Sequence, residues 1–173
     1  LQTTINDTLR YNALSASVGY KADESKDTFS IKCQVISIDR RSLTALYTGL
    51  FTPEGAAYST NVFYSNTMDL RDGSNLGLND FTDSYTMAGY VLSSDVTFSG
   101  LTDEQTAAAL AYRETLTIEE FTDIFNQADF PRQTGVQWPP SFSYEKQGSI
   151  FFTFPVPHEL GDYVTVRFDP STK

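Results

Sequence analysis

The feature that most constrains this chain is a hydrophobic period of two. In Phe29-Ser-Ile-Lys-Cys-Gln-Val, the residues Phe29, Ile31, Cys33 and Val35 alternate with polar ones, the signature of a strand with one buried face. The phase then slips to Ile36 and Ile38. One extra residue in a strand makes a bulge, so a bulge or sharp bend is expected near Val35–Ile36. Cys33 is in phase with the apolar positions and reads as a small buried core residue. It is the sole cysteine, which excludes an intramolecular disulfide. No nearby base or Cys/His cluster marks it as a nucleophile or a zinc ligand.

The alternation recurs along the chain. Leu14, Ala16, Val18 and Tyr20 predict a strand, and Lys21 to Asp27 a charged loop. Leu43 to Phe51 carries apolar groups on both faces, which suits a central strand, and Thr52-Pro-Glu-Gly-Ala reads as a turn. Thr60–Ser65, Tyr85–Leu92, Asp95–Phe98, Ser149–Phe154 and Asp162–Phe168 read as further short strands, with a polar loop from Asn66 to Asp83.

One stretch breaks the pattern. Thr102-Asp-Glu-Gln is a capping box followed by the alanine-rich Thr106 to Tyr112, and Thr117-Ile-Glu-Glu is a second box. Leu116 and Phe121 are placed to make a hydrophobic staple. Phe121, Ile124, Phe125 and Ala128 form a core-facing stripe, and Pro131 is expected to stop that helix. Between the helices, Tyr112 to Leu116 has an extended alternative. There is no internal repeat and no Gly/Ser or Pro linker. The expected fold is therefore a mainly β single domain over residues 1–173. It would be a two-sheet antiparallel sandwich or jelly roll of seven to eight short strands, with a two-helix excursion at about 102–129.

Charge narrows the partners. Twelve basic against 22 acidic residues give a net charge of −10, which repels phosphate and disfavours nucleic acid and anionic membranes. Arg40–Arg41, the one adjacent basic pair, reads as solvated residues at a strand end. No apolar run is long enough to insert in a membrane as a helix. The chain begins at Leu1, without Met or a basic-then-apolar leader, and reads as a processed precursor or an excised domain. A surface rich in Thr, Ser and Tyr fits an extracellular, cell-surface or virion-surface setting. Asn6-Asp-Thr matches the glycosylation pattern, which matters only in a eukaryotic secretory route.

Catalytic signatures are missing. His158, the only histidine, lies in a Pro-flanked loop with no nucleophile elbow. Asp103–Glu104 and Glu119–Glu120 fall in helix first turns, where the dipole favours acids; Asp23–Glu24 sits in a charged loop. Two loops offer binding chemistry instead. Asp69 to Asp83 carries Asp69, Asp72, Asn75, Asn79, Asp80 and Asp83. These are hard oxygen donors from which Asp72, Asn75 and Asp80 are the candidate calcium ligands, although ordinary turn chemistry uses the same residues. Gly135 to Tyr144 places Trp138 before two prolines, in extended geometry. Trp138 and Tyr144 are the candidate ligand-binding residues, able to stack on a sugar ring or seat in a partner.

The sequence thus supports a non-catalytic structural or interaction domain that works through protein–protein contacts in an assembly, its own copies included. A carbohydrate-binding module is the alternative, and a small hydrolase using clustered carboxylates comes third. No cofactor is expected beyond the calcium candidate.

Overall fold

The chain opens in helix, not strand. The computed structural model describes residues 1–131 and 138–172. In it, Ile5, Asn12 and Ala16 are buried along α1 (Gln2–Leu14) and the short α2 (Ala16–Gly19), positions that share one helical face. The strand expected over Leu14–Tyr20 is corrected here. Leu14 and Val18 face solvent, and the hydroxyls of Ser15 and Ser17 donate back to the carbonyls of Asn12 and Leu14. The alternating serines are therefore helix residues bonded to the preceding turn.

Four strands follow: β1 (Thr28–Ile38), β2 (Ser42–Thr52), β3 (Thr60–Asp69) and β4 (Asn75–Leu76). They form an antiparallel sheet in the order β1-β2-β3-β4. The register of β1 on β2 shifts between Val35 and Ser37, so the expected bulge is present. β2 is central, as its two apolar faces require. At Gly49 the two backbones close so tightly that a Cβ would lie 1.8 Å from the Ser30 carbonyl oxygen; glycine fixes this register by having no side chain. Asn66 to Asp69, expected in a loop, continues β3.

The chain divides into two compact units, Leu1–Gly77 with Asp129–Pro139, and Leu78–Ala128 with Pro140–Lys173. In the first, α1 is tied to the sheet by polar side chains. The Tyr64 hydroxyl donates to the Ala13 carbonyl at 2.6 Å. Asn12 Nδ2 donates to Asn66 Oδ1 at 2.8 Å and to Asn75 Oδ1 at 3.2 Å. Asn66 Nδ2 reaches Asn75 Oδ1 at 3.0 Å, and Asn75 Nδ2 donates to the Pro131 carbonyl at 2.8 Å. Bonded in this way, three buried amides avoid the cost of desolvation without a partner.

The second unit comprises α3 (Leu78–Phe81), α4 (Ser84–Leu92), β5 (Thr97–Ser99), α5 (Asp103–Arg113), α6 (Ile118–Asn126), β6 (Ser143–Lys146), β7 (Ser149–Pro155) and β8 (Tyr163–Phe168). The strand expected over Tyr85–Leu92 is helix α4. Asp83 caps it by accepting from the Thr86 amide, and Ser84, Met87, Ala88 and Val91 are buried, a spacing of helical period. Both expected capping boxes are formed, at Thr102 with Gln105 and at Thr117 with Glu120. α6 ends at Asn126 and Asp129 adopts φ 67°, so the chain turns before Pro131 can act as the stop. Residues 112 and 113 belong to α5 rather than to an extended connection. Phe121 meets Phe154 edge-on with centroids 5.3 Å apart, and Phe125 meets Phe152 at 5.0 Å. These rings lay α6 on β7.

Helix and strand contents are nearly equal, about 34% and 33%, so the mainly β expectation is corrected. What holds is the coarser statement: two antiparallel four-stranded sheets with helices. The β5-β8-β7-β6 order of the second sheet is that of a Greek key. The first sheet is a plain meander, so the pairing lacks the two Greek keys of a jelly roll.

Phe152→Ala is expected to cost about 3–5 kcal/mol, through lost burial plus a cavity beneath Phe125. Thr117→Ala, which removes only an exposed cap, is expected to cost about 1 kcal/mol. Urea denaturation followed by far-ultraviolet circular dichroism measures both.

Candidate functional site

Sheet position decides which residues of the first unit remain available. β1 lies at the edge of its sheet and pairs, among the described residues, with β2 alone. It is 11 residues long, about twice the usual strand, and presents a row of open backbone groups along its outer side. Val35 is 53% and Ile38 67% exposed. Tyr20 packs on Phe29 and Phe51 with centroids 5.9 and 5.3 Å away, which covers the beginning of the strand. Cys33 is exposed, and this corrects the expectation of a buried core thiol. The alternation identified its face correctly; among the described residues the cover ends at Phe29 and Ile31 and leaves Cys33 and Val35 exposed.

Charge sets this region apart. From Thr28 to Met68 there are two acids, Asp39 and Glu54, and three bases, Lys32, Arg40 and Arg41. The chain's large negative charge therefore lies entirely outside this stretch. Arg40 and Arg41 are exposed in the turn after β1, where Asp39 Oδ1 accepts from the Arg41 and Ser42 amides at 2.6 and 2.9 Å.

Beneath Cys33 the sheet is aromatic. Tyr47 and Tyr64 stack with centroids 4.4 Å apart and planes within 6°. Burial, reinforced by the neighbouring Cys33 thiol, pushes both phenols above the usual tyrosine range.

Trp138, a candidate ligand residue, closes this core instead of standing free. Its ring meets Tyr20, Tyr64 and Phe130 with centroids 5.7, 5.3 and 5.9 Å away. A Cβ on Gly19 would fall 2.4 Å from the indole. Gly135 to Gln137, which precede it in the sequence, lie outside the described residues. Tyr144, the other candidate, stacks on Phe151 at 4.9 Å within the second sheet, and burial raises its phenol. The structure places Trp138 in the first unit and Tyr144 in the second.

The three calcium candidates are divided in the same way, Asp72 and Asn75 in the first unit and Asp80 in the second. Asp72 Oδ1 accepts from the Ser74 amide at 2.9 Å, a local Asx turn, and Asn75 belongs to the amide network. In the same loop Arg71 Nη2 lies 2.5 Å from Asp69 Oδ2 and holds that carboxyl down to about 2. Among the described residues no three His, Cys, Asp or Glu side chains converge as a metal site would require.

The remaining acids and the histidine have local roles. Asp103, Glu104, Glu119 and Glu120 occupy helix first turns, and Asp23 accepts from Ser25. His158 Nδ1 lies 3.0 Å from Asp162 Oδ1 within one tight turn. A hollow of about 190 Å³ lined by Tyr90, Asp95, Thr97, Arg167, Asp169 and Thr172 is smaller than the roughly 300–1,000 Å³ of typical small-molecule sites. Sequence reasoning missed the open edge of β1. The available signal was a long alternating strand, free of acids in an acidic chain and carrying a lysine at mid-strand.

The chain matches no protein-family model, and no curated protein is similar to it.

Two outcomes follow from this chemistry. Because folding raises the Tyr47 and Tyr64 pKa values, their contribution to stability is complete below the unfolded value near 10 and is lost as pH rises toward the folded one. In an alkaline titration read at 295 nm these two phenols are expected to ionise last, together with loss of circular dichroism. Early, non-cooperative ionisation of all ten tyrosines would contradict this. Melting temperatures in millimolar calcium and in chelator are expected to coincide, since turn and amide bonds already engage Asp72 and Asn75. A rise of several degrees with calcium, lost in Asp72→Ala, would reverse that.

Proposed function

We propose that this chain is a non-catalytic interaction domain that docks a protein partner along the edge of β1, displayed outside a cell or on a virion surface. The observation that carries the reading is the edge itself: an 11-residue strand that pairs, among the described residues, with β2 on one side only, and with Val35 and Ile38 exposed. Strand addition to such an edge supplies main-chain hydrogen bonds for affinity and alternating side chains for specificity. β1 itself carries no acid and one lysine, which supports it further, because the strand lacks the charge by which the chain repels other acidic proteins. The extracellular or virion setting rests on the hydroxyl- and aromatic-rich composition. The glycan reading is weakened by the packing of Trp138 under four neighbours, Gly19, Tyr20, Tyr64 and Phe130.

The test is site-specific photo-crosslinking in the native host. A benzophenone side chain at Val35 is expected to give one discrete protein adduct. The same probe at Glu119, exposed on α6, is expected to give none. Absence of any Val35 adduct, or identical patterns from both positions, would overturn the proposal.

A further inference from the structure

We infer that the occupant of this edge is a second copy of the same chain, its β1 lying antiparallel to the first about a two-fold axis through Cys33. The inference rests on the reading of β1 as a docking edge and names the partner. Cys33 is the midpoint of Thr28–Ile38 and of the regular segment Ile31–Val35 that precedes the bulge, so a strand crossing its own copy there pairs that segment symmetrically. The sequence around it is self-complementary. Ile31, Cys33 and Val35 share one face of the sheet and Lys32 and Gln34 the other. A dyad at Cys33 sets Ile31 opposite Val35 of the second copy, apolar on apolar. Lys32 comes opposite Gln34, so neither lysine meets its equivalent.

Charge points to the same occupant. Two copies of a chain with net charge −10 repel each other, and the stretch from β1 to β3, Thr28–Asp69, carries three acids and three bases and so adds nothing to that repulsion. The bulge at Val35–Ser37 interrupts the regular ladder just past the self-complementary segment. Bulges and mid-strand lysines blunt natural edges against pairing, so with Lys32 the bulge limits any self-pairing to the short segment Ile31–Val35. The other edge of the sheet is β4, only two residues long, so the association closes as a two-fold dimer instead of growing into a fibre. A seam of one strand pair buries less than the roughly 1,200 Å² of a standard stable interface, so the dimer is expected to dissociate on the order of micromolar concentrations or above.

Sedimentation equilibrium on the full chain tests this, with two substitutions at the exposed Gln34. Wild type is expected to follow a monomer–dimer equilibrium. Gln34→Lys sets a lysine against Lys32 of the other copy and is expected to weaken the dimer about tenfold, because two such pairs form. Gln34→Glu sets a carboxylate there and is expected to strengthen it by a similar factor. A short bismaleimide, adding to one thiol of each copy, is expected to trap the wild-type dimer and to give none with Cys33→Ser. A strictly monomeric chain up to millimolar concentration, or two Gln34 variants that shift in the same direction, would overturn the inference. If the chain is monomeric while the Val35 photoprobe captures a different polypeptide, the docking edge stands and only the choice of partner fails. If the chain is monomeric and that probe captures nothing, both fall.

Discussion

An antiparallel sheet with one apolar face must have that face covered, and the width of the cover determines what else the molecule presents. In the first unit the cover is narrow. α1 is anchored on β3 through Tyr64 and the amides of Asn12, Asn66 and Asn75, and the aromatic group of Tyr20 and Trp138 extends it over Phe29, Phe51 and Tyr64. Cys33 and Val35 remain outside. The exposed edge is thus a consequence of where the helix is pinned, and the pins are buried amides that are costly to release.

The second unit meets the same requirement differently. Its helices α4 and α6 present phenylalanines and small apolar residues at helical spacing, and β7 answers with Phe152 and Phe154. Arg113, nearly buried, donates to the carbonyls of Val91 and Ser93 and so satisfies the end of α4, where a cation also suits the helix dipole. Helices provide the cover in this unit, which is why helix content rises to match strand content.

Much of this was readable from local chemistry. The β1 bulge, central β2, both capping boxes, β7 and β8 each announce themselves through period or cap. The failures have physical causes. Leu14 to Tyr20 alternates because serines and a glycine happen to separate apolar residues, two of which point to solvent. Tyr85 to Leu92 contains a helical stripe whose start is hard to recognise, because its N-cap Asp83 closes a polar run that looks like loop. Strand β6, Ser143–Lys146, has too little apolar character to stand out, and its partner β7 defines it. Site residues were harder still. Whether Cys33 is covered, or Trp138 free, depends on sheet order and on side chains distant in sequence, which no local pattern records.

The seat of Trp138 has an experimental consequence. It is the chain's single tryptophan, and its described ring partners Tyr20, Tyr64 and Phe130 belong to the first unit. Its emission therefore reports on the folding of that unit. The units are also interleaved along the chain, since the segment carrying Trp138 returns to the first unit only after α6 has been made. During synthesis the first unit must wait for its own indole until most of the second has emerged. In the complete chain the same interleaving makes the seat of the indole a long-range closure, which forms after the local turns of the helices do.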